Sequence, residues 1–446
     1  MFHRYGKKGR LTTTKALKDL IALESVENLL ADEKRQQLMQ QIKTNCALEE
    51  PRFDSLCLSI VTHLINHCQN LPETSNSYYS MPGGMLDHAL NRTEAALNLF
   101  KKYVVLNDKT EYSEEQKLWQ YALLSAALLQ GIGKLCVDLT VELYDVNGQI
   151  LKQWNPLLEN LVLTGRYYTY EFNKESDLDF RRRLNLLMAK NLMPASGFAW
   201  LTSNHQVFAV WLALLHEDPY SAGTLGALLI RADAIAVQRY LNQWSLKNFG
   251  NRSGRFGRIS TFSDGSAEST PGNEQQTAVN FIQWLGKSLE SGIVMINKAP
   301  LLMVPGGLLM CAEIFKLFIL EHPEYKNWQA VQRALLTLNL HRVGADGEVT
   351  SRHESNHEMI SGILVRDYAV ILPEQVQLYN PHTGESVSIS ATEVIHQAHE
   401  GTQSMQQTTS EKTCSLPVLN EGGQWQAAIT TAKAVISPAI MPIMDR

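Results

Sequence analysis

The chain has 446 residues, more than one compact hydrophobic core ordinarily serves, so we expect two or three domains. Its formal net charge of −5 excludes a global positive field for nucleic acid or membranes, so any nucleic-acid contact must come from a local patch. The six cysteines include no Cys-x-x-Cys pair, which argues against a zinc ribbon or a disulfide framework. No apolar run has membrane-spanning length and the basic N-terminus lacks a signal-peptide core, so we expect a cytoplasmic protein without membrane contact.

The first half of the chain carries mainly helical patterns. Apolar residues at helical spacing predict helices over residues 17–30, 53–70, 85–104, 114–130 and 178–246. In residues 137–152, by contrast, apolar and polar residues alternate about an Asp-Val-Asn-Gly turn, which predicts a β-hairpin. Residues 17–246 therefore predict a mainly helical domain.

Residues 71–97 combine a loop with the start of a helix. Prolines and glycines break regular structure on both sides of Tyr78 and Tyr79, which we expect to be exposed. His88 follows in the first turn of the helix, where it can offer an imidazole to a metal ion. The alternative is a hydrogen-bonded, partly buried histidine without a ligand, and the local pattern favours that alternative.

Residues 247–273 interrupt the helical pattern and predict a linker between two domains. The first half of this segment contains Phe249 and Phe256, four basic residues and no acid. Such a composition can follow a phosphate backbone and stack on bases. The candidate nucleic-acid contacts are Lys247, Arg252, Arg255 and Arg258. A flexible linker without a ligand fits the same composition equally well.

From residue 274 the patterns describe a second domain. They predict helices over 275–289, 308–320 and 328–340, and strands over 292–297 and 359–371. Two helices followed by a β-ribbon are the order of a winged-helix domain, whose recognition helix would present Lys326 and Arg333 to DNA. However, residues 274–395 hold eight basic against thirteen acidic residues, so contact with a protein competes with DNA on equal terms. Residues 396–446 predict an extended tail that could include a short docked segment.

Three motifs in the helical domain occur in a recognisable order. His88 opens one helix, Leu128-Leu-Gln-Gly-Ile-Gly-Lys134 ends another, and Asp233 follows Arg231-Ala on a third. This order resembles the HD-domain phosphohydrolases, whose metal ligands are a first His, a His-Asp pair and a late Asp. More closely, Gly83-Gly-Met-Leu-Asp-His88 after Leu71-Pro-Glu-Thr-Ser75 resembles the TraI or MobH family of conjugative relaxases. That family places a winged-helix domain after the HD-like one, and the resemblance covers residues 50 to 385.

The residue patterns and the resemblance together predict a mainly α protein, with an all-helical HD-like domain that carries a small β-hairpin, followed by an α+β winged-helix domain. The expected organisation is an N-terminal helical extension (1–49), the HD-like domain (50–246), the linker (247–273), the winged-helix-like domain (274–395) and a low-complexity tail (396–446).

The chain departs from the family pattern where the family binds metal. The family's histidine run falls at Ser77-Tyr78-Tyr79, and its His-Asp pair falls at Gln130-Gly131. The remnant metal positions are His88, Gln130 and Asp233, with Gln130 offering a neutral oxygen. One imidazole and one carboxylate are too few ligands for a tight site. His205 or His216 could substitute, but a lone helical histidine is more often structural.

Two function classes follow from these residues. In the first, the chain is a relaxase-like DNA-processing or accessory protein of a conjugative or integrative element that has lost catalysis and needs no cofactor. In the second, it is a metal-dependent phosphodiesterase that nicks DNA, with a divalent metal and Tyr78, Tyr79 or Lys134 as catalytic candidates. A protein-interaction scaffold is a further alternative. The expected partners are DNA, bound weakly to moderately and best as a single strand if Phe249 and Phe256 stack on bases, and proteins of the transfer machinery. The oligomeric state stays open.

Overall fold

The computed structural model describes residues 14–104, 111–174, 177–249, 271–342, 348–355, 358–381, 383–400, 418–419 and 425–426. The helices of the first half are α1 (Val26–Leu30), α2 (Glu33–Asn45), α3 (Glu50–Phe53), α4 (Ser59–Cys68), α5 (Gly84–Tyr103), α6 (Glu114–Leu129), α7 (Lys134–Val137), α8 (Leu178–Leu192), α9 (Ala195–Thr202), α10 (His205–Leu215) and α11 (Gly223–Phe249). Those of the second half are α12 (Pro271–Glu290), α13 (Ala312–Glu321), α14 (Trp328–Leu336) and α15 (Ala391–Glu400). Helices predominate among the described residues, which confirms the mainly α prediction.

The strands of the first half form one small antiparallel sheet in the order β1-β4-β2-β3. Its strands are β1 (Ile21–Ala22), β2 (Leu139–Tyr144), β3 (Ile150–Gln153) and β4 (Tyr167–Phe172). The predicted hairpin is therefore present as β2 and β3, but it belongs to a larger sheet. The predicted helix over 17–30 is wrong, because a 3-10 turn at Leu17–Asp19 and the pairing of Ile21 with Tyr168 precede the short helix α1.

The second half contains another four-stranded antiparallel sheet, in the order β5-β6-β8-β7, and a two-stranded ribbon. The strands are β5 (Leu301–Val304), β6 (Gly307–Cys311), β7 (Thr350–Ser355), β8 (Glu358–Val365), β9 (Gln375–Tyr379) and β10 (Ser386–Ser390). The predicted helix over 308–320 begins only at Ala312, because all five residues of β6 are buried in the sheet. The predicted strand over 292–297 is reduced to a single bridge between Ile296 and Leu378.

Two hydrophobic cores organise the described residues. The first is built from helices α4, α5, α6 and α10 with the first sheet. The second is built from α12, α13 and α14 with the second sheet, and it also takes in residues of α11 from Ala227 to Leu241. Helix α11 thus packs against both cores, which brings the second half close to the loop before α5. The predicted domain limits and the linker stay predictions, since residues 250–270 lie outside the described part of the chain.

Short segments near the C-terminus return to the first core. Strands β11 (Val418–Leu419) and β12 (Trp425–Gln426) pair with each other. The Leu419 amide donates to the carbonyl of Val104 at 2.8 Å and its side chain is buried. Among the described residues, the segment Glu114–Val137 is long and apolar enough to span a membrane. However, 72% of the 18-residue apolar stretch that meets this criterion is buried inside the protein. This segment comprises α6 and α7, and its buried residues belong to the first core.

Candidate functional site

The residues singled out by the sequence meet where α5, the end of α6 and α11 approach one another. His88 lies in the first turns of α5, Gln130 caps the C-terminus of α6, and Asp233 lies on α11. The fourth contributor is the loop before α5. Gly84 lets this loop pack onto the helix, since a Cβ there would lie 1.9 Å from the carbonyl oxygen of Tyr79.

Five charged side chains form one continuous chain of ion pairs across this site. Lys134 pairs with Glu73, and Glu73 Oε1 lies 3.2 Å from His88 Nδ1. On the other side of the ring, His88 Nε2 lies 3.1 Å from Asp233 Oδ1, at ion-pair distance although without hydrogen-bond geometry. Arg92 Nη1 ends the chain at 3.0 Å from the same Asp233 oxygen. Cations and carboxylates therefore alternate from one end to the other.

Arg92 follows His88 by one helical turn, so both side chains point from α5 into the same cleft. Its guanidinium uses all three nitrogens. Besides the contact with Asp233, Nε donates to the carbonyl of Ala127 at 2.8 Å, and Nη2 donates to the carbonyl of Gln130 at 2.9 Å. These carbonyls belong to the C-terminal turn of α6, the negative end of that helix. Arg92 is 5% exposed, so its buried charge depends on these three acceptors.

Tyr78 and Tyr79 enclose the imidazole of His88. The ring of Tyr79 stacks on it with 4.9 Å between centroids, and Tyr78 meets it edge-on at 5.6 Å. The prediction that both tyrosines are exposed is wrong, because Tyr79 is 3% exposed and its hydroxyl donates to the carbonyl of Ala236 on α11. Tyr78 is half-buried and packs against the second core. The Ser77 hydroxyl donates to the Leu338 carbonyl, so the second half of the chain holds this loop in place.

The ion pairs shift the pKa values of the buried groups. Burial disfavours the charged carboxylate of Glu73, but Lys134 and His88 outweigh it and lower the pKa of Glu73 to about 2. Burial likewise opposes a charged His88, yet Asp233 and Glu73 raise the pKa of the imidazole above its ordinary value. Burial raises the pKa values of both Tyr78 and Tyr79. The site therefore favours charged His88 and Glu73 and neutral tyrosines.

Two family models match this chain. The TraI_2 family, described as "Putative helicase", matches residues 20–255, and the TraI_2_C family, described as "Putative conjugal transfer nickase/helicase TraI C-term", matches residues 276–385. The chain belongs to the TraI_2 family. The resemblance to TraI proteins of conjugative transfer is thereby confirmed. No curated protein matches the chain.

The metal positions that the resemblance implies do not fit a metal ion in this TraI_2 chain. Asp233 is engaged by Arg92, and the side-chain amide of Gln130 donates to the carbonyl of Leu214 at 3.3 Å. His205 and His216 are exposed at the two ends of α10 and do not join the site. Within the described part of the chain, no group of three or more His, Cys, Asp or Glu side chains is arranged to hold a metal.

Two of the predicted nucleic-acid residues of this TraI_2 chain lie in its second half. Lys326 and Arg333 are exposed just before and on α14. Lys247 lies near the end of α11, and nothing is described of its side chain. Arg252, Arg255 and Arg258 lie outside the described residues.

The sequence analysis did not identify two members of the chain of ion pairs, Glu73 and Arg92. Arg92 carried a signal, since its spacing of four residues from His88 puts both on one helix face. Glu73 carried none, because the pairing of a loop carboxylate with Lys134 is a long-range contact.

We expect His88 to stabilise the folded protein most at mildly acidic pH. Its folded-state pKa is raised above the ordinary 6.5, so its contribution is complete below that pH and disappears as pH rises through the folded value. The pKa of Glu73 is lowered from 4.5 to about 2, so its contribution is complete above pH 4.5 and is lost as pH falls toward 2. Urea unfolding of wild type and His88→Gln from pH 5 to 9 measures this. The difference in the free energy of unfolding between wild type and His88→Gln should decrease as pH rises. A difference that does not change with pH would contradict a charged His88.

Proposed function

We propose that this chain is a DNA-binding accessory protein of conjugative transfer that keeps the TraI family's architecture without HD-type catalysis. The observation that carries the proposal is the engagement of the remnant ligand Asp233 by the guanidinium of Arg92. In addition, the cavity beside Glu73, Arg92 and Lys134 has a volume of about 10 Å³, room for about one water molecule and for no nucleotide.

The HD-like part of the proposal is supported by the convergence of three separated motifs on one cleft. His88, Gln130 and Asp233 come from α5, α6 and α11, in the order that the resemblance implies. The winged-helix part is supported by the element order after residue 271: a helix, a hairpin, two helices and a β-ribbon that pairs through β8 with β6. In that arrangement α14 would be the recognition helix, with Arg333 exposed on it.

Other catalytic candidates in the site are poorly suited to attack a phosphodiester. A tyrosine nucleophile requires a lowered pKa and access to its substrate. Tyr79 is buried with its hydroxyl bonded to a backbone carbonyl, and burial raises the pKa values of Tyr78 and Tyr79. The ammonium of Lys134 is paired with Glu73. These contacts favour a structural role for all three residues.

DNA binding is assigned in this proposal to the basic segment that begins in the last turn of α11. Lys247, Arg252, Arg255 and Arg258 would contact phosphates, with Phe249 and Phe256 stacking on bases of a single strand. The second half of the chain is acidic in balance, so Lys326 and Arg333 would supply little binding on their own. Binding would then be moderate in affinity and tolerant of sequence.

Fluorescence anisotropy with labelled single-stranded and duplex DNA, titrated with salt, tests the proposal. Neutralising about four phosphates predicts a slope of about −3 to −4 for log affinity against log salt. Changing Arg252, Arg255 and Arg258 together to alanine should remove most of that slope, whereas Arg333→Ala, the matched control, should leave it nearly unchanged. The same samples, incubated with Mn²⁺ or Mg²⁺ and run on a denaturing gel, should contain intact DNA.

If wild type cleaves the DNA and His88→Ala does not, the proposed loss of catalysis is wrong. Binding that survives the triple variant but is lost in Arg333→Ala or Lys326→Ala would move the DNA contact to the second half of the chain. No binding at low salt would leave the protein-interaction scaffold as the better description.

A further inference from the structure

The guanidinium of Arg92 lies where three acceptors converge. These are Asp233 Oδ1 at 3.0 Å, the Ala127 carbonyl at 2.8 Å and the Gln130 carbonyl at 2.9 Å. One of them is a carboxylate and two lie at the negative end of α6, so without a cation the cleft would hold several uncompensated acceptors. Each guanidinium nitrogen faces a different acceptor, a geometry that the planar fork of arginine provides and lysine cannot.

His88 faces the same carboxylate oxygen. Its Nε2 lies 3.1 Å from Asp233 Oδ1 and has no hydrogen-bond partner, although the ring is buried. An imidazole nitrogen and a carboxylate oxygen about 3 Å apart can share a divalent metal, since each would need to lie about 2.0–2.2 Å from it. The oxygen is instead held by Arg92. The imidazole is therefore left facing an oxygen that already has a cation.

We propose that Arg92 is a built-in cation that replaces the divalent metal of an HD-type site, so that this cleft is held together without metal. The replacement of the family's His-Asp pair by Gln130-Gly131 then removes only part of the metal site. Arg92 would still exclude the metal ion if the His-Asp pair were restored. This proposal concerns the cleft alone and holds or fails independently of DNA binding.

The backbone at the replaced pair has room for the restoring substitutions. Gly131 has φ +79°, a conformation that aspartate tolerates better than most residues. A Cβ at Gly131 would meet only the Lys134 side chain, at 3.6 Å from Cε and 4.0 Å from Nζ. Gln130 caps α6, and its backbone carbonyl already lies against the guanidinium of Arg92. A His-Asp pair can therefore be introduced by Gln130→His and Gly131→Asp.

Metal content separates the proposal from its alternatives. Four full-length proteins are exposed to Mn²⁺, desalted and analysed by elemental mass spectrometry: wild type, Arg92→Met, the double variant Gln130→His/Gly131→Asp, and the triple variant with Arg92→Met added. We expect manganese to stay with the triple variant and raise its melting temperature, and to be absent from the other three. Manganese retained by the double variant, in which Arg92 is intact, would overturn the proposal, as would a folded triple variant that retains none.

Chemical rescue keeps the proposal testable if the triple variant does not fold. Arg92→Ala should lose thermal stability and regain about 2 °C or more on addition of a low millimolar concentration of guanidinium chloride, since a cation that binds only the folded state stabilises it. Sodium chloride at equal ionic strength is the salt control. Arg52→Ala, which removes an arginine paired with the 64% exposed Glu114, should show no rescue, because water solvates the carboxylate that is left. Equal rescue of both variants, or none of Arg92→Ala, would overturn the proposal.

Discussion

Replacing Glu73 by glutamine is expected to lower the free energy of unfolding by about 3–5 kcal/mol, because it removes one charge from a buried ion-pair chain and leaves its partners uncompensated. The Glu73 side chain is 10% exposed and lies between Lys134 and His88, which are 12% and 3% exposed. Glutamine keeps the volume of the side chain, so the decrease in the free energy of unfolding results from the lost charge and not from a cavity. Urea unfolding at pH 6, where the carboxylate is ionised and His88 is charged, measures it.

The matched control is Glu114→Gln. Glu114 also pairs with two cations, Arg52 and Lys117, but its side chain is 64% exposed, so we expect a loss below about 1 kcal/mol. Adding Lys134→Met to Glu73→Gln should recover part of the loss, since the orphaned ammonium is then removed as well. Equal losses at Glu73 and Glu114 would mean that the buried chain of charges contributes no more than a surface ion pair.

Local pattern in the sequence predicted the elements that carry the site. Each of three helices has its own local signal: an apolar stripe in α5, glycines after the end of α6, and apolar residues at helical spacing along α11. The structure has all three helices. Resemblance added that His88, Gln130 and Asp233 belong together. The structure brings them to one cleft, which no spacing within a single helix could have indicated.

The features that the sequence did not predict depend on contacts between segments far apart in the chain. The loop with Tyr78 and Tyr79 has the glycines and prolines of an exposed turn, yet stacking on His88 and contact with the second core cover the rings. The strand β6 reads as part of a helix, because a fully buried strand has no polar alternation to distinguish it. In both cases packing against residues far along the chain overrides the local pattern.

The second large effect is expected at Arg231, which joins α11 to the second half of the chain. Its guanidinium is 6% exposed and donates to the carbonyls of Ala369 and Leu372 at 3.1 and 2.8 Å. Burial lowers the pKa of Arg231 to about 10, so the group is still charged at neutral pH. Arg231→Met keeps the length of the side chain but leaves the Ala369 carbonyl without this donor. We expect a loss of about 2–3 kcal/mol in the free energy of unfolding.

The size of that loss depends on two opposing effects. Removing a buried charge relieves its desolvation, which favours the variant, whereas an unsatisfied buried carbonyl costs about 1–3 kcal/mol. Gln238 still donates to Leu372, so only part of the contact is lost, and the result should lie below the sum of two charged hydrogen bonds. Arg333→Met, which changes an exposed arginine on α14, is the control and should alter stability by less than about 0.5 kcal/mol.

Hydrogen exchange shows which parts of the chain lose stability in Arg231→Met. If Arg231 holds the two halves together, amides near residues 368–372 and along α11 should exchange faster in Arg231→Met, while those of the first core around α6 keep their protection. Uniformly faster exchange would indicate that the two cores unfold as one unit. Unchanged exchange at 368–372 would mean that the apolar contacts of α11 with the second core, from Ala227 to Leu241, hold the halves together without the guanidinium.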